Sequence, residues 1–265
     1  MTPLLLRANN ASLWTGPTGN NTWLLSGRVP ALIDAGVGDA AHIEGVKAAL
    51  GGAALERVLI THGHSDHVGG IPALAARWPR LRVMRFPDIR DGLVDAGGGR
   101  LRAVHTPGHA PDHLCFLDEG SGDLYCGDLV RVGGTIVIPA SRGGNLAQYL
   151  ASLRRIRAMS PRRLLPAHGP VIDDPAAIVD QYLEHRADRE EQILAAIRSG
   201  ACTPEEIASH VYGDLPSAIV SASVDTVLAH LLKLQEEGRA MPVATPLEAT
   251  AAEPSALQLS AWRLV

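Results

Sequence analysis

The chain has 265 residues, 46% of them hydrophobic and 20% charged, which suits one large domain, or a domain with a small appendage, and excludes a disordered polymer. A net charge of −4 excludes a generic basic protein that coats nucleic acid, though not a local basic groove. The three cysteines, Cys115, Cys126 and Cys202, are odd in number and lack zinc-ribbon spacing, so free thiols in a reduced, cytoplasmic setting are expected. The apolar run in "MTPLLLRANN" is too short for a signal peptide or a membrane span, and no membrane partner is expected.

In chain order, "NTWLLSG" and "ALIDAG" read as strands ending in turns. "AHIEGVKAALGG" predicts an amphipathic helix stopped by two glycines. "RVLITH" predicts a strand whose near-continuous apolar run implies cover on both faces. "IPALAARWP" reads as a helix closed by Pro79, and "LRVMRF" as another strand. "DGLVDAGGGRLRAVHTPGH" predicts two strands around a glycine turn, and "HLCFLDEGSGDLYCGDLV" a hairpin. "NLAQYLASLRRIRAM" predicts a helix with Asn145 as its N-cap, and "RLLPAHGPVI" a short strand running into a loop.

Near Asp174 the pattern turns helical. "PAAIVDQYLEHRADREEQILAAIRSG" predicts a long helix after a proline start. "TPEEIASHVYG" offers Thr203 as N-cap, Pro204 at the first helical position and acidic residues in the first turn. "SVDTVLAHLLKLQEEGR" predicts a third helix with a glycine stop, and the tail has two strand-like ends around a polar Ala/Pro/Glu linker. Three helices and a hairpin predict a small winged-helix-like unit at 175–265, after a first domain at 1–174.

Residues 60–70, "ITHGHSDHVGG", crowd titratable groups at the end of an apolar run. On a strand, His62 and His64 at i and i+2 share a direction, and Asp66 and His67 approach from the turn into a helix. Imidazole nitrogen suits zinc, and a carboxylate can complete or bridge the site. A solvated histidine-rich loop would need no further ligands. Yet His109 in "TPGHAPDH", Asp128 in "YCGDLV" and His168 in "PAHGPV" each follow an apolar run and sit among turn residues. That arrangement is expected of groups converging on one rim of a sheet.

These residues carry a resemblance. The pattern H-x-H-x-D-H, a lone His, an Asp and a last His resembles the metallo-β-lactamase-fold hydrolase superfamily. The resemblance implies an α/β fold, an αββα sandwich, over about the first two-thirds of the chain. It implies that His62, His64 and His109 hold one zinc, that Asp66, His67 and His168 hold a second, and that Asp128 bridges both. Manganese or iron is the alternative to zinc, and His64, where the diiron oxygen-reducing branch usually carries an acid, favours zinc. The runs "AHGPVIDDPAAIVDQYLEHRADREEQIL" and "VLAHLLKLQEEGR" resemble the lactamase-beta-like endoribonuclease branch near glyoxalase II, with its C-terminal winged-helix-like domain. Asn145 stands where that group carries an aspartate.

The implied chemistry is hydrolysis by a metal-bridging hydroxide, with ions about 3.5–4 Å apart and Asp66 orienting the water as the catalytic carboxylate. One substrate is single-stranded RNA, cut as a phosphodiester. The alternative is a small thioester, ester or lactone, as in a hydroxyacylglutathione hydrolase. A third reading, a non-catalytic winged-helix binding module, has no use for seven ligands. Oligomeric state stays open.

Other residues have plainer readings beside functional ones. Asp34 either supports a histidine ligand or caps a turn, and His113 either hydrogen-bonds near the site or is structural. His105 reads as second-layer support or strand filler; Asn21 and Thr22 line the mouth or open a strand. Ser65 reads as a loop residue, and Trp23 and Trp262 as core. Arg154, Arg155, Arg157, Arg162 and Arg163 make a basic cluster that suits a phosphate backbone, although such clusters are usually solvated faces.

Overall fold

The computed structural model describes residues 2–243 and 261–265. They divide into two compact units: Met1–Pro107 with Asp112–Ile136 and Ser152–Val179, and Gly108–Pro111 with Val137–Ala151 and Asp180–Val265.

Alternation along short strands sets the layers of the first unit. Strands β1 (Leu4–Arg7), β2 (Asn21–Leu25), β3 (Ala31–Ile33), β4 (Arg57–Leu59) and β5 (Arg82–Met84) form one five-stranded sheet in that order. Its first three strands run antiparallel, and β3, β4 and β5 run parallel. Trp23, Leu25, Ala31, Ile33 and Leu59 point to one face, into a core shared with Ala103, Phe116 and Leu165. Leu24, Leu32 and Val58 point to the other face, against Val46 of α1 (Ala40–Leu50) and Leu74 of α3 (Ile71–Arg77). Burial on both faces explains the near-continuous apolar runs. Truncating Leu32, which is fully buried, to alanine would cost about 2–5 kcal/mol.

The second sheet contains β6 (Gly92–Ala96), β7 (Gly99–His105), β8 (Leu114–Asp118), β9 (Asp123–Gly127) and β10 (Arg163–Pro166), ordered β10-β9-β8-β7-β6. All neighbours are antiparallel except β9 and β10. Helix α4 (Leu146–Met159) begins where expected, with Asn145 Oδ1 accepting from the Gln148 N–H at 2.9 Å. Cys115 and Cys126 are buried free thiols, and burial pushes Cys115 up to about 12.

The second unit is built on α5 (Pro175–Arg198), α6 (Pro204–Tyr212) and α7 (Ser217–Glu236), followed by the antiparallel pair β11 (Ala240–Val243) and β12 (Ala261–Leu264). This is the helix-and-hairpin order of a winged-helix-like unit. Ile193 of α5, Ile207 of α6, Leu228 and Leu231 of α7, and Trp262 of β12 make its core. Thr203 and Glu206 close a capping box at the start of α6. The polar linker expected between the hairpin strands falls at 244–260, outside the described residues.

Two boundaries differ from the sequence reading. The "RVLITH" strand ends at Leu59. Ile60 still donates its N–H to Met84, but Thr61 gives its N–H to Asp34 Oδ1, so the chain leaves the sheet before His62. Helix α7 begins at Ser217 rather than Ser223. Pro216 presets the backbone at its N-cap, and the few tenths of a kcal/mol disfavouring each of Ile219 and Val220 do not prevent the earlier start.

Candidate metal centre

The ligand-type side chains lie just beyond the carboxyl ends of strands. His62 and His64 stand on the loop after β4, and Asp66 and His67 on the short helix α2 (Ser65–Val68) that follows. Asp128 follows β9 directly, and His168 follows β10 after one residue. His109 stands on the loop after β7. The strand-alternation argument for His62 and His64 does not apply, because both lie past the strand end.

The structure brings these residues into three groups. His62, His64 and His109 each offer one ligand atom, all within 4.8 Å of one another; so do His62, His67 and Asp128, and so do Asp66, His67 and His168. His62 Nε2 and His64 Nδ1 face each other at 2.9 Å. His67 Nε2 lies 3.5 Å from Asp66 Oδ2 and 3.7 Å from Asp128 Oδ1, while His168 Nε2 lies 3.6 Å and 3.2 Å from the same two oxygens. His67 Nε2 is buried and has no hydrogen-bond partner. A buried imidazole nitrogen close to two carboxylate oxygens but hydrogen-bonded to neither fits a cation held among them.

Electrostatics agrees with that fit. Burial opposes charge on Asp128, but the imidazoles of His168 and His67 outweigh it and hold its carboxyl well below the usual range. Burial likewise opposes charge on Asp66, and His67 and the Asn20 amide more than offset it, bringing the carboxyl down to about 2. Burial opposes a proton on His67 too, yet the Asp34 and Asp128 carboxylates hold its pKa well above the ordinary value. Two carboxylates kept ionised among five imidazoles make a set prepared for positive charge.

Buried partners fix the imidazoles. His67 Nδ1 donates to Asp34 Oδ2 at 2.8 Å, leaving Nε2 as the free face. His109 Nδ1 donates to the Val137 carbonyl at 2.7 Å; a carbonyl only accepts, so Nε2 carries the lone pair. Thr61 Oγ1 lies 3.1 Å from His62 Nδ1 and also bonds to both oxygens of Asp34. His113 Nε2 accepts the Asp128 N–H at 3.1 Å, and its Nδ1 bonds to Thr106 Oγ1 at 2.8 Å. Both ring nitrogens of His113 are thus engaged in hydrogen bonds beside the ligand-type residues. The Asn21 amide donates to the Pro166 and Gly169 carbonyls, which bracket His168.

Gly127 is required next to Asp128. Its φ is +49°, and a Cβ there would lie 2.7 Å from His113 Nε2 and 2.8 Å from Thr61 Cβ. Gly108, before His109, has φ +137° and would place a Cβ 2.3 Å from the Tyr149 backbone nitrogen.

The remaining candidates take structural roles. His105 stacks on Phe86 with ring centroids 4.5 Å apart. Thr22 Oγ1 bonds to His42, and Trp23 and Trp262 are core. In the basic cluster, Arg155 pairs with Asp91, and Arg162 and Arg163 both pair with Asp123. Sequence reasoning missed Thr61 and Asn20. Thr61 adjoins the histidine motif, which is a signal in itself. Asn20 reaches Asp66 from 46 residues away in sequence, a contact no local pattern announces.

A two-sheet α/β layer with histidines and aspartates gathered beyond its strand ends defines a metal-dependent hydrolase. The chain belongs to the metallo-β-lactamase superfamily, whose model matches residues 15–80 and 79–168. The β-lactamase-associated winged helix domain matches residues 203–244. The lactamase-like protein adaB of Aspergillus niger is 36% identical over 83% of this chain and 76% of its own length. An atrochrysone carboxyl ACP thioesterase of Aspergillus chevalieri is 33% identical over 81% of this chain and 74% of its own length. The crystal structure of a β-lactamase domain protein from Burkholderia ambifaria shares the fold with a TM-score of 0.81, at 20% identity over 99% of this chain and 91% of that one.

Proposed function

We propose that the chain is a dinuclear metallohydrolase that cleaves an acyl thioester. His62, His64 and His109 would hold one ion, Asp66, His67 and His168 would hold the other, and Asp128 would serve both. Zinc suits the imidazole-rich set, with manganese or iron as the alternative. The observation that carries the reading is His67 Nε2, buried without a hydrogen bond between the carboxylates of Asp66 and Asp128. Bound divalent ions supply Lewis acidity and a nucleophile at neutral pH.

The protein's own part is orientation. Asp66 is the more open carboxylate, with 26% of its side chain exposed against 12% for Asp128. In this reading it would orient the attacking water, its depressed pKa keeping it an ionised acceptor of the water's hydrogen bond. Water adds to the acyl carbonyl, the C–S bond breaks, and a carboxylate and a thiolate leave; the two protons of the water pass to solvent, from which the thiolate takes up one. A thiolate departs without a protonated side chain to assist it, because thiols titrate near ~8.5.

Two observations support a thioester over RNA. One relative is named for thioester hydrolysis on an acyl carrier protein. Arg155, Arg162 and Arg163 are engaged with aspartates, which weakens the basic cluster as a phosphate-backbone track. The test is turnover of an acyl thioester, a single-stranded RNA and a lactone by metal-replete protein, beside metal content. Thioester turnover lost on metal removal and in Asp128→Ala is expected. RNA cleavage without thioester turnover would overturn the substrate; absence of metal uptake would overturn the centre.

A further inference from the structure

We propose that Asn20 is a positioning residue for the metal centre: its side-chain amide sets the Asp66 carboxylate for one of the two ions. The proposal rests on the reading of Asp66, His67 and His168 as the ligands of that ion.

Asn20 is 1% exposed, and its Nδ2 lies 3.0 Å from Asp66 Oδ2. The orientation of the amide follows from a group of fixed polarity. The Asn20 backbone N–H, which only donates, meets Asn10 Oδ1 at 2.8 Å. Asn10 must therefore turn its Nδ2 to Asn20 Oδ1, at 2.6 Å. With its oxygen occupied, Asn20 presents its nitrogen to Asp66. The reciprocal pair demands a close approach of the backbone: a Cβ on Gly19, at φ +68°, would lie 2.6 Å from Asn10 Oδ1.

The same residue reaches a second ligand. The Asn20 backbone forms an isolated antiparallel bridge with His168, and the Asn21 N–H donates to the Ala167 carbonyl at 2.7 Å. Asn20 therefore aligns Asp66 through its side chain and His168 through its backbone. The third ligand, His67, is held separately by Asp34. A neutral amide suits the position. A carboxylate oxygen has two lone pairs, so one can accept from Asn20 while the other faces the ion. Lysine or arginine there would also fix the carboxylate, but its charge would repel the cation.

The experiment follows cobalt(II) loading by ligand-field absorption, with a competing chelator, in wild type, Asn20→Leu, Asn10→Ala and Thr15→Val. Thr15 Oγ1 donates to the Asn10 carbonyl at 2.6 Å, so Thr15→Val loosens the same loop without touching either amide side chain. Asn20→Leu is expected to weaken one of two loading events by roughly 10–100-fold and to leave the other unchanged. Asn10→Ala should show a smaller loss in the same event, and Thr15→Val none. Unchanged loading in Asn20→Leu, equal loss in both events, or the same selective loss in Thr15→Val would overturn the role of Asn20. If Asn20→Leu does not fold, Asn10→Ala decides on the same criterion. Failure of wild type to load two ions would instead overturn the dinuclear reading, and the two failures are told apart by measuring wild type first.

Discussion

His67 Nδ1 and Asp34 Oδ2 meet at 2.8 Å with the imidazole wholly buried and the carboxylate 3% exposed. The same carboxylate accepts the Thr61 N–H and hydroxyl, so one side chain ends β3, turns the chain after β4 and orients an imidazole. Asp34 does this from φ +59°, a conformation that Asn and Asp tolerate better than other side chains. Asp34→Ala should leave buried donors unpaired and cost about 1–3 kcal/mol per stranded group. It should also weaken metal binding roughly 10–100-fold. Asp34→Asn should recover most of the stability and only part of the metal affinity. Denaturant midpoints and metal content of the two variants check this; equal metal affinity in both would refute the orienting role.

Metal loading should release protons. His67 is held well above its ordinary value of 6.5 by Asp34 and Asp128, against the opposing effect of burial. In the metal-free protein its charged form stabilises the fold fully below 6.5, and that contribution is lost as pH rises through the raised value. A cation and the proton compete for the same site, so apparent metal affinity should fall as pH falls. Calorimetry in buffers of different ionisation enthalpy reads the proton count directly. A count of zero at neutral pH would contradict the prediction.

Gly127→Ala should be among the most destabilising single substitutions. The new methyl meets His113 and Thr61 at contact-forbidden distances from a left-handed backbone. Left-handed strain and overpacking together suggest about 2–5 kcal/mol. Because Asp128 is the next residue, metal content should fall with stability. A denaturation midpoint within error of wild type would show that the strand end yields more than this geometry allows.

The helical unit should loosen in acid in two stages. Burial is the main cause that brings His230 down to about 4 from 6.5, so unfolded chains bind a proton that the folded unit refuses, and stability falls as pH drops across that interval. Burial alone would raise Glu190, but His230, Lys233 and Arg239 outweigh it and bring the carboxyl to about 2 from 4.5. Its contribution is present above 4.5 and is lost as pH falls toward 2. Amide exchange along Ser217–Glu236 measures the loss. Glu190→Gln should flatten only the lower stage, and a variant that flattened both or neither would reject the assignment.

The legible parts of the molecule are those with a local signature. Apolar runs ending in turns announced the strands in "NTWLL" and "ALI", Thr203 and Asn145 announced helix starts, and Asp34 could be suspected from its place at a strand end. The seven ligand-type residues were legible because four crowd together at the end of one apolar run and the other three each follow another among turn residues. β1 was not read as a strand, since four residues with little alternation carry almost no periodic signal. Asn20 and Thr61 were missed for a different reason. An asparagine at a strand entrance has an ordinary structural use, and only folding brings it to Asp66.

The ligand-type groups hang from both sheets: His62 and His67 follow β4 in one, and Asp128 and His168 follow β9 and β10 in the other. An ion gripped by both sets acts as a rivet, and anything that binds only the folded form stabilises it by mass action. The endurance of the molecule should then depend on metal supply as well as on sequence. Chains made when metal is scarce would open more often and be the first exposed to proteolysis. Those made when it is plentiful would persist, so that the pool of intact protein follows the ion it needs to work.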